Sequence, residues 1–445
     1  MKLQGLTLLA AMLTTTLAAQ NWPQFRGPDG SGVVKNATLP AVWNNEENVA
    51  WKTPLPGSGW SSPIVTKGRI FVTAAEFPQQ PRPSGFRRGV SSMRSYRSDS
   101  KKLMTDTAFK LHCLNLSNGE LIWTRTIATQ TPAFTIHPSN TYATGSPATN
   151  GSLVFSYFAA AGVVAASDLE GEARWKIDVG AFKAGNGFGA GSSLALGEEL
   201  LYLQCDNDEK SFVLAMDPNT GKEAWRIDRP TRTSWSTPIL WNNTFGTELI
   251  LCGADTVASH NPTTGKEIWN LSGFGGSFSS SPAFDRDQIY FGNSGPGSAG
   301  PLTTVEAGAK GVVPYQKGQA SKFSPWARTG SGPGLSSPVA HKGLLYISAG
   351  TGILSCYDTE TGERLYKERL PNAGSIAASL WIVNDELYAL DELGATHIIK
   401  TGTEFEVLRR NQIDDLFWST PAVLEDTLIL RGADNLYCIR NQKTS

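Results

Sequence analysis

The sequence predicts an all-β chain folded as an eight-bladed propeller with four antiparallel strands in each blade. Three observations predict it: a Ser/Thr-Pro phrase that repeatedly opens a short apolar strand, an Asp/Asn-x-x-Thr-Gly-x-x-x-Trp phrase that closes the repeat, and a period near the roughly 40 to 45 residues of a propeller blade. The opening phrase stands at Ser61-Ser62-Pro63, Gly145-Ser146-Pro147, Ser236-Thr237-Pro238, Ser280-Ser281-Pro282, Ser336-Ser337-Pro338 and Ser419-Thr420-Pro421. Proline-free versions stand at Ser192-Ser193 and Ala378-Ser379. Positions 147, 194, 238 and 282 are 47, 44 and 44 residues apart, and 338, 380 and 421 are 42 and 41 apart.

Each repeat reads as first strand, turn, second strand, turn, third strand, Thr-Gly turn and a fourth strand bearing Trp. The second strands Ile70-Phe71-Val72, Leu201-Tyr202-Leu203, Leu249-Ile250-Leu251, Leu345-Tyr346-Ile347 and Leu428-Ile429-Leu430 are short and branched or aromatic, as strands require. The closing phrase is clearest from Asp217 to Trp225 and from Asn261 to Trp269, and it recurs around Trp123, Trp175 and, with Tyr for Trp, Tyr366. Its Asp or Asn can bond the backbone two residues on, and its Gly supplies a positive φ. The last repeat ends without a Trp strand. Val49-Ala50-Trp51-Lys52-Thr53-Pro54 has that pattern at the other end of the chain and is expected to complete the eighth blade, closing the ring.

This divides the chain into residues 1–19 as a signal segment, 20–48 as an N-terminal extension and 49–441 as the propeller. Insertions are expected at 76–107 in the first blade and 292–318 in the fifth. The whole chain has 445 residues, 13 Trp, 45 Gly and a net charge of -1. One continuous repeat core is preferred over several domains. The charge gives no electrostatic case for nucleic acid. Lys2, the apolar run Leu6 to Leu17 and Ala18-Ala19 have the order of a secretory signal, so the mature chain is expected to be secreted or periplasmic, without a transmembrane segment, and monomeric. The five cysteines fall in strand register and read as core fillers.

The repeat resembles the quinoprotein-type, PQQ-like propeller repeat shared by pyrroloquinoline quinone (PQQ) dehydrogenases and by the scaffold lipoprotein of the outer-membrane barrel assembly machinery. Asn21-Trp22-Pro23-Gln24-Phe25-Arg26-Gly27-Pro28-Asp29-Gly30 is similar to the head of a group of exported bacterial PQQ-like repeat proteins. The resemblance implies the propeller, and either protein contacts or quinone chemistry. This chain has no lipid-anchor cysteine after its apolar start.

In such a ring the connection from one blade's fourth strand to the next blade's first strand lies at the channel mouth. The residues before each Ser/Thr-Pro are therefore candidate mouth residues: Trp60, Trp235, Phe278, Leu335 and Trp418, with Phe188 and Tyr142 in longer connections. Arg232, Arg328, Asp414 and Asp415 are placed in the same class of loop. Aromatics here either stack a planar or sugar ligand or seal the blades at the axis. The first insertion carries Arg82, Arg87, Arg88, Arg94, Arg97, Lys101 and Lys102, and reads either as a basic arm toward a polysaccharide, lipid headgroup or acidic protein, or as a solvated loop.

A quinoprotein enzyme needs a calcium-like ion on carboxylate and amide oxygens, a carboxylate base and commonly an adjacent Cys pair. No two cysteines are adjacent, and no haem-attachment motif is present. The five histidines are scattered, and Gly189-Ala190-Gly191-Ser192-Ser193 precedes a strand rather than a helix, so it is neither phosphate loop nor nucleophile elbow. The expected function is an exported, non-catalytic propeller that binds a protein or glycan partner or a small ligand, without cofactor or metal. The alternative is a PQQ- and Ca-dependent oxidoreductase of alcohols or sugars.

Overall fold

A strand whose residues are apolar on both faces must be covered on both faces, and the second and third strands of the repeats have that character. Leu201–Cys205 and Phe212–Met216 are buried along their whole lengths, whereas the following Glu223–Asp228 is largely exposed. Each sheet is thus sandwiched between two neighbours and wetted only at its outer strand. The computed structural model, which describes residues 21–78, 81–85, 104–295, 298–349 and 352–442, arranges these sheets as eight blades. Residues 1–19, expected as a signal segment, and Arg87, Arg88, Arg94 and Arg97, expected as a basic arm, lie outside the described residues.

Blade 1 runs from the axis outward as Ile64–Thr66, Arg69–Glu76, Thr107–Asn115 and Leu121–Gln130. Blades 2 to 7 follow in chain order. In blade 8 the inner three strands are Ala422–Val423, Thr427–Arg431 and Asn435–Arg440, and the outer strand is Val49–Pro54. That strand pairs antiparallel with the third, Val49 against Ile439 and Pro54 against Asn435, so the expected closure is present. Core clusters lie between blades; Phe71 and Cys113 of blade 1, for example, pack with Val154 and Phe158 of blade 2. All five cysteines are free and buried.

The two sequence phrases acquire physical roles. The hydroxyl of the opening phrase accepts a backbone N–H from the preceding blade: Ser62 N to Ser146 Oγ at 2.9 Å, Ser146 N to Ser193 Oγ at 3.0 Å, Ser193 N to Thr237 Oγ1 at 3.0 Å, Thr237 N to Ser281 Oγ at 2.9 Å. The belt continues through Ser337, Ser379 and Thr420. In the closing phrase the Trp indole donates to the next blade's Thr-Gly turn, as Trp175 Nε1 does to Pro218 O at 2.9 Å and Trp225 Nε1 to Pro262 O at 3.0 Å. Gly221 (φ 69°) lies so close to Trp175 that a Cβ there would stand 2.6 Å from the ring. Glycine is required both for the turn and for the approach.

The described part of the segment read as an extension, residues 21–48, packs against the ring. Trp22 exchanges backbone hydrogen bonds with Val65 of blade 1, Thr149 N of blade 2 donates to Pro23 O, and Leu196 N of blade 3 donates to Gln24 Oε1. Gly30 lies beside Ile239 of blade 4. Arg26 donates to Pro282 O of blade 5 and Pro338 O of blade 6. Val33–Val34 then pairs parallel with Ile382 and Val383 of blade 7, and Thr38 N donates to Glu425 O of blade 8. The leader thus touches the inner strands of all eight blades, by backbone pairing at blades 1, 2, 7 and 8 and through side chains at blades 3, 5 and 6.

The stretch 292–318, expected as a loop, divides differently. Gln288–Gly295 and Ser298–Glu306 are the second and third strands of blade 5, and the long connection lies between Glu306 and the fourth strand Ala327–Arg328. Its glycines mark close backbone packing: a Cβ on Gly292 would stand 2.7 Å from Pro301 O. Within the connection, Gly311–Val312 adds a fifth, parallel strand to the outer edge of blade 4.

Candidate functional site: the channel mouth

Antiparallel alternation puts the connections between blades on one face and the first hairpin turns on the other. On the connection face, the residue two before each belt hydroxyl should share the mouth, because side chains two apart in extended backbone point the same way. Trp60 and Trp418 fulfil this across the seam between blades 1 and 8, with ring centroids 6.0 Å apart and planes at 21°. Trp60 is buried, its Nε1 donating to Ser139 O at 2.8 Å, while Trp418 is half-buried. Trp235 is half-buried, donates to Gly189 O at 2.7 Å and meets Phe188 edge-on at 6.1 Å. Leu335 is half-buried and Arg232 exposed.

Two candidates sit elsewhere. Phe278 stands three residues, not two, before its belt hydroxyl Ser281; Ser279 holds the equivalent place. The one-residue offset turns Phe278 away from the mouth, and it is 0% exposed among Phe274, Phe291 and their cluster. Arg328 is on the outer strand of blade 5, two residues after Trp326. It follows that indole onto the next blade's turn, donating to Gly362 O at 2.8 Å.

The start of the basic insertion crosses the mouth. Arg82 Nε reaches both carboxylate oxygens of Asp434 at 3.0 Å, and its Nη2 reaches Asp415 Oδ1 at 2.9 Å. These hydrogen bonds, led by Asp434, hold the Arg82 pKa above the ordinary guanidinium value. Ser84 N donates to Pro138 O, and Gly85 lies against Glu392 and Leu416 of blades 7 and 8. This strap leaves a cleft of about 450 Å³ of empty volume, its open side included, between Pro81, Pro83, Phe77, Ile136, Pro138 and Tyr142, with His137, Asn140, Thr141 and Ser58 at its polar margin. Asp415 also takes Tyr437 Oη at 3.1 Å and the amides of Leu416 and Asn435. Asp414 is exposed and exchanges hydrogen bonds with Asn45 of the leader.

Sequence reasoning missed two arginines. Arg26, 1% exposed, points its guanidinium into the ring at carbonyls alone, and burial pulls its pKa down to about 10, with Asp29 opposing. Arg431, 2% exposed, donates to Ser61 O, Ser61 Oγ and Thr73 O, and burial pulls its pKa down to about 9. Arg431 staples blade 8 to blade 1 beneath the stacked indoles. A signal for it existed: by strand register it occupies the place held by Thr73 in blade 1 and Ser348 in blade 6, so a lone cation among small polar residues is visible once repeats are aligned. Arg26 carried none.

The resemblance implied a calcium-held quinone. Among the described residues no group of three or more His, Cys, Asp or Glu side chains gathers. The mouth acid Asp415 already has Arg82, Tyr437 and backbone amides as partners. No helix among the described residues is long and apolar enough to cross a membrane.

A sequence family described as outer membrane protein assembly factor BamB matches residues 78–225, 209–330 and 253–444. Among solved structures, the chain is similar to BamB from Moraxella catarrhalis, with a TM-score of 0.54 at 12% identity over 92% of this chain and 98% of that one. It is similar also to the quinohemoprotein alcohol dehydrogenase from Comamonas testosteroni, with a TM-score of 0.60 at 11% identity over 94% and 80%. Sqt1 from Saccharomyces cerevisiae gives 0.55 at 10% identity over 92% and 99%. At these identities the likenesses speak for the propeller alone. A comparison with curated protein sequences gives no match.

Proposed function

From the premise that this chain belongs to the family described as outer membrane protein assembly factor BamB, we propose that it is an exported, non-catalytic propeller that binds a protein partner through the loops around its mouth. The observation that carries this reading is the treatment of the two channel ends. The leader packs against the inner strands toward the hairpin face, and the Arg82 strap crosses the other. What remains for contact is a rigid ring with a decorated loop surface, half-buried indoles at Trp235 and Trp418 and an exposed Arg232. Aromatic and arginine side chains on rigid loops are the usual anchors of protein contacts.

The test places a photo-crosslinking residue at Arg232 on the mouth and, separately, at Leu408 on an outer strand, in the producing cell. A discrete adduct from position 232 alone supports the reading. Adducts from neither position, together with saturable quenching of Trp fluorescence by PQQ and Ca²⁺ and turnover of an alcohol with an artificial electron acceptor, replace it by the oxidoreductase.

A further inference from the structure

Blade 4 departs from the pattern of its neighbours. The indoles of Trp51, Trp123, Trp175, Trp225 and Trp326 each donate to the closing turn of the next blade. Trp269 holds the same place in blade 4 but is fully buried and donates to Glu248 Oε2 at 2.9 Å. Glu248, itself buried, also takes the Ser259 hydroxyl and, on Oε1, Asn243 Nδ2 at 2.9 Å. Asn243 Oδ1 in turn accepts the N–H of Phe245 at 2.7 Å. The buried network therefore ends at the tip of the first hairpin of blade 4 and fixes the backbone that carries Phe245.

That side chain is 75% exposed. Its ring covers Gly308 in the closing turn of blade 5, where a Cβ would stand 2.8 Å from Cε2. Four residues on, Val312 in the added strand of blade 4 is 73% exposed. These are the two most exposed large apolar side chains among the described residues. The added segment is basic: residues 307–325 carry Lys310, Lys317 and Lys322, all exposed, and no Asp or Glu, while the exposed Glu267 lies on the strand that Val312 pairs with and is held by Asn270. Arg286 is exposed on the neighbouring hairpin beside Asp287, which Thr244 contacts.

We propose that this edge of blades 4 and 5 docks on an anionic lipid surface, with Phe245 and Val312 entering the interface and Lys310, Lys317 and Lys322 facing the headgroup phosphates. Two apolar tips offer much less than the roughly 800 Å² per partner that a stable protein interface buries. A lipid surface moulds itself to a convex tip, and a few inserted carbons with several lysines suffice for reversible binding. The inference is independent of the mouth.

The test is co-sedimentation of the purified full chain with vesicles of equal parts phosphatidylglycerol and phosphatidylcholine, against phosphatidylcholine alone. Wild type should sediment with the anionic vesicles only, and less so as salt is raised. F245S with V312S should weaken partitioning about tenfold, and each of K310E, K317E and K322E about fivefold. All five side chains are exposed, so an unchanged melting midpoint verifies that the variants are folded. Absence of vesicle binding, binding that the variants leave unchanged, or self-association that F245S abolishes without any vesicle binding overturns the proposal.

Discussion

At the residue scale, the informative side chains are charged or titratable groups that the ring has dehydrated. His112 is held between Thr124 Oγ1 at 2.8 Å and Pro56 O at 3.1 Å, and burial pulls its pKa down to about 4; His260 is pulled down to about 4 in the same way. An unfolded chain takes up these protons near pH 6.5, whereas the fold resists them until about pH 4. The stability due to the neutral imidazoles is therefore complete above pH 6.5 and is lost as the pH falls toward 4. Asp206 works in the opposite sense: burial lifts its pKa to about 6, so acidification through that value favours the fold. With two histidines against one aspartate, urea unfolding should show a net loss on going from pH 6.5 to 4, about 2 kcal/mol for each histidine. His112→Gln should remove one such share of the slope, and an unchanged slope in that variant would refute the assignment. Arg26 and Arg431 belong to the same scale, since each buried guanidinium contributes geometry: Arg26 joins carbonyls of blades 5 and 6, and Arg431 of blade 8 holds two carbonyls of blade 1.

At the element scale, the closing turn and the outer strand of the preceding blade form one unit. The Thr-Gly turn presents a carbonyl to an indole and a glycine to its face, as Pro218 and Gly221 do for Trp175. Gly221→Val must take a valine to φ near 69° and push its Cβ to 2.6 Å from Trp175, so the fold should lose about 3 kcal/mol, read as a lower denaturant midpoint with an unchanged slope. An unchanged midpoint would show that the turn relaxes without disturbing the indole. Blade 4 marks the limit of the rule. Its indole donates to Glu248 instead, and the exposed ring of Phe245 lies over Gly308 in the next blade's turn.

At the scale of the whole molecule, closure is made at three radii. Val49–Pro54 completes blade 8 at the outside, Arg431 bridges Ser61 and Thr73 within, and the leader lies against the inner strands. Removing residues 49–54 exposes the third strand Asn435–Arg440 along its outer edge. That deletion should abolish cooperative thermal unfolding, whereas a melting transition like that of wild type would show that the outer latch is dispensable. The sequence by itself determined the ring: the number of blades, the strand order, the closing strand and the turn chemistry follow from local phrases, because each repeat meets the same steric and hydrogen-bonding demands. It also named Trp60, Trp235 and Trp418, whose distance from the belt hydroxyl fixes their direction. Phe278 and Arg328 show where that reading ran out, since a one-residue offset or a strand extended by two residues changes the face without changing the composition. The path of the leader, the seat of Arg82 on Asp415 and Asp434, and the Glu248 network beneath Phe245 were decided by the tertiary structure alone. These contacts join residues hundreds of positions apart or depend on a neighbour's departure from the repeat, and local sequence carries no record of either.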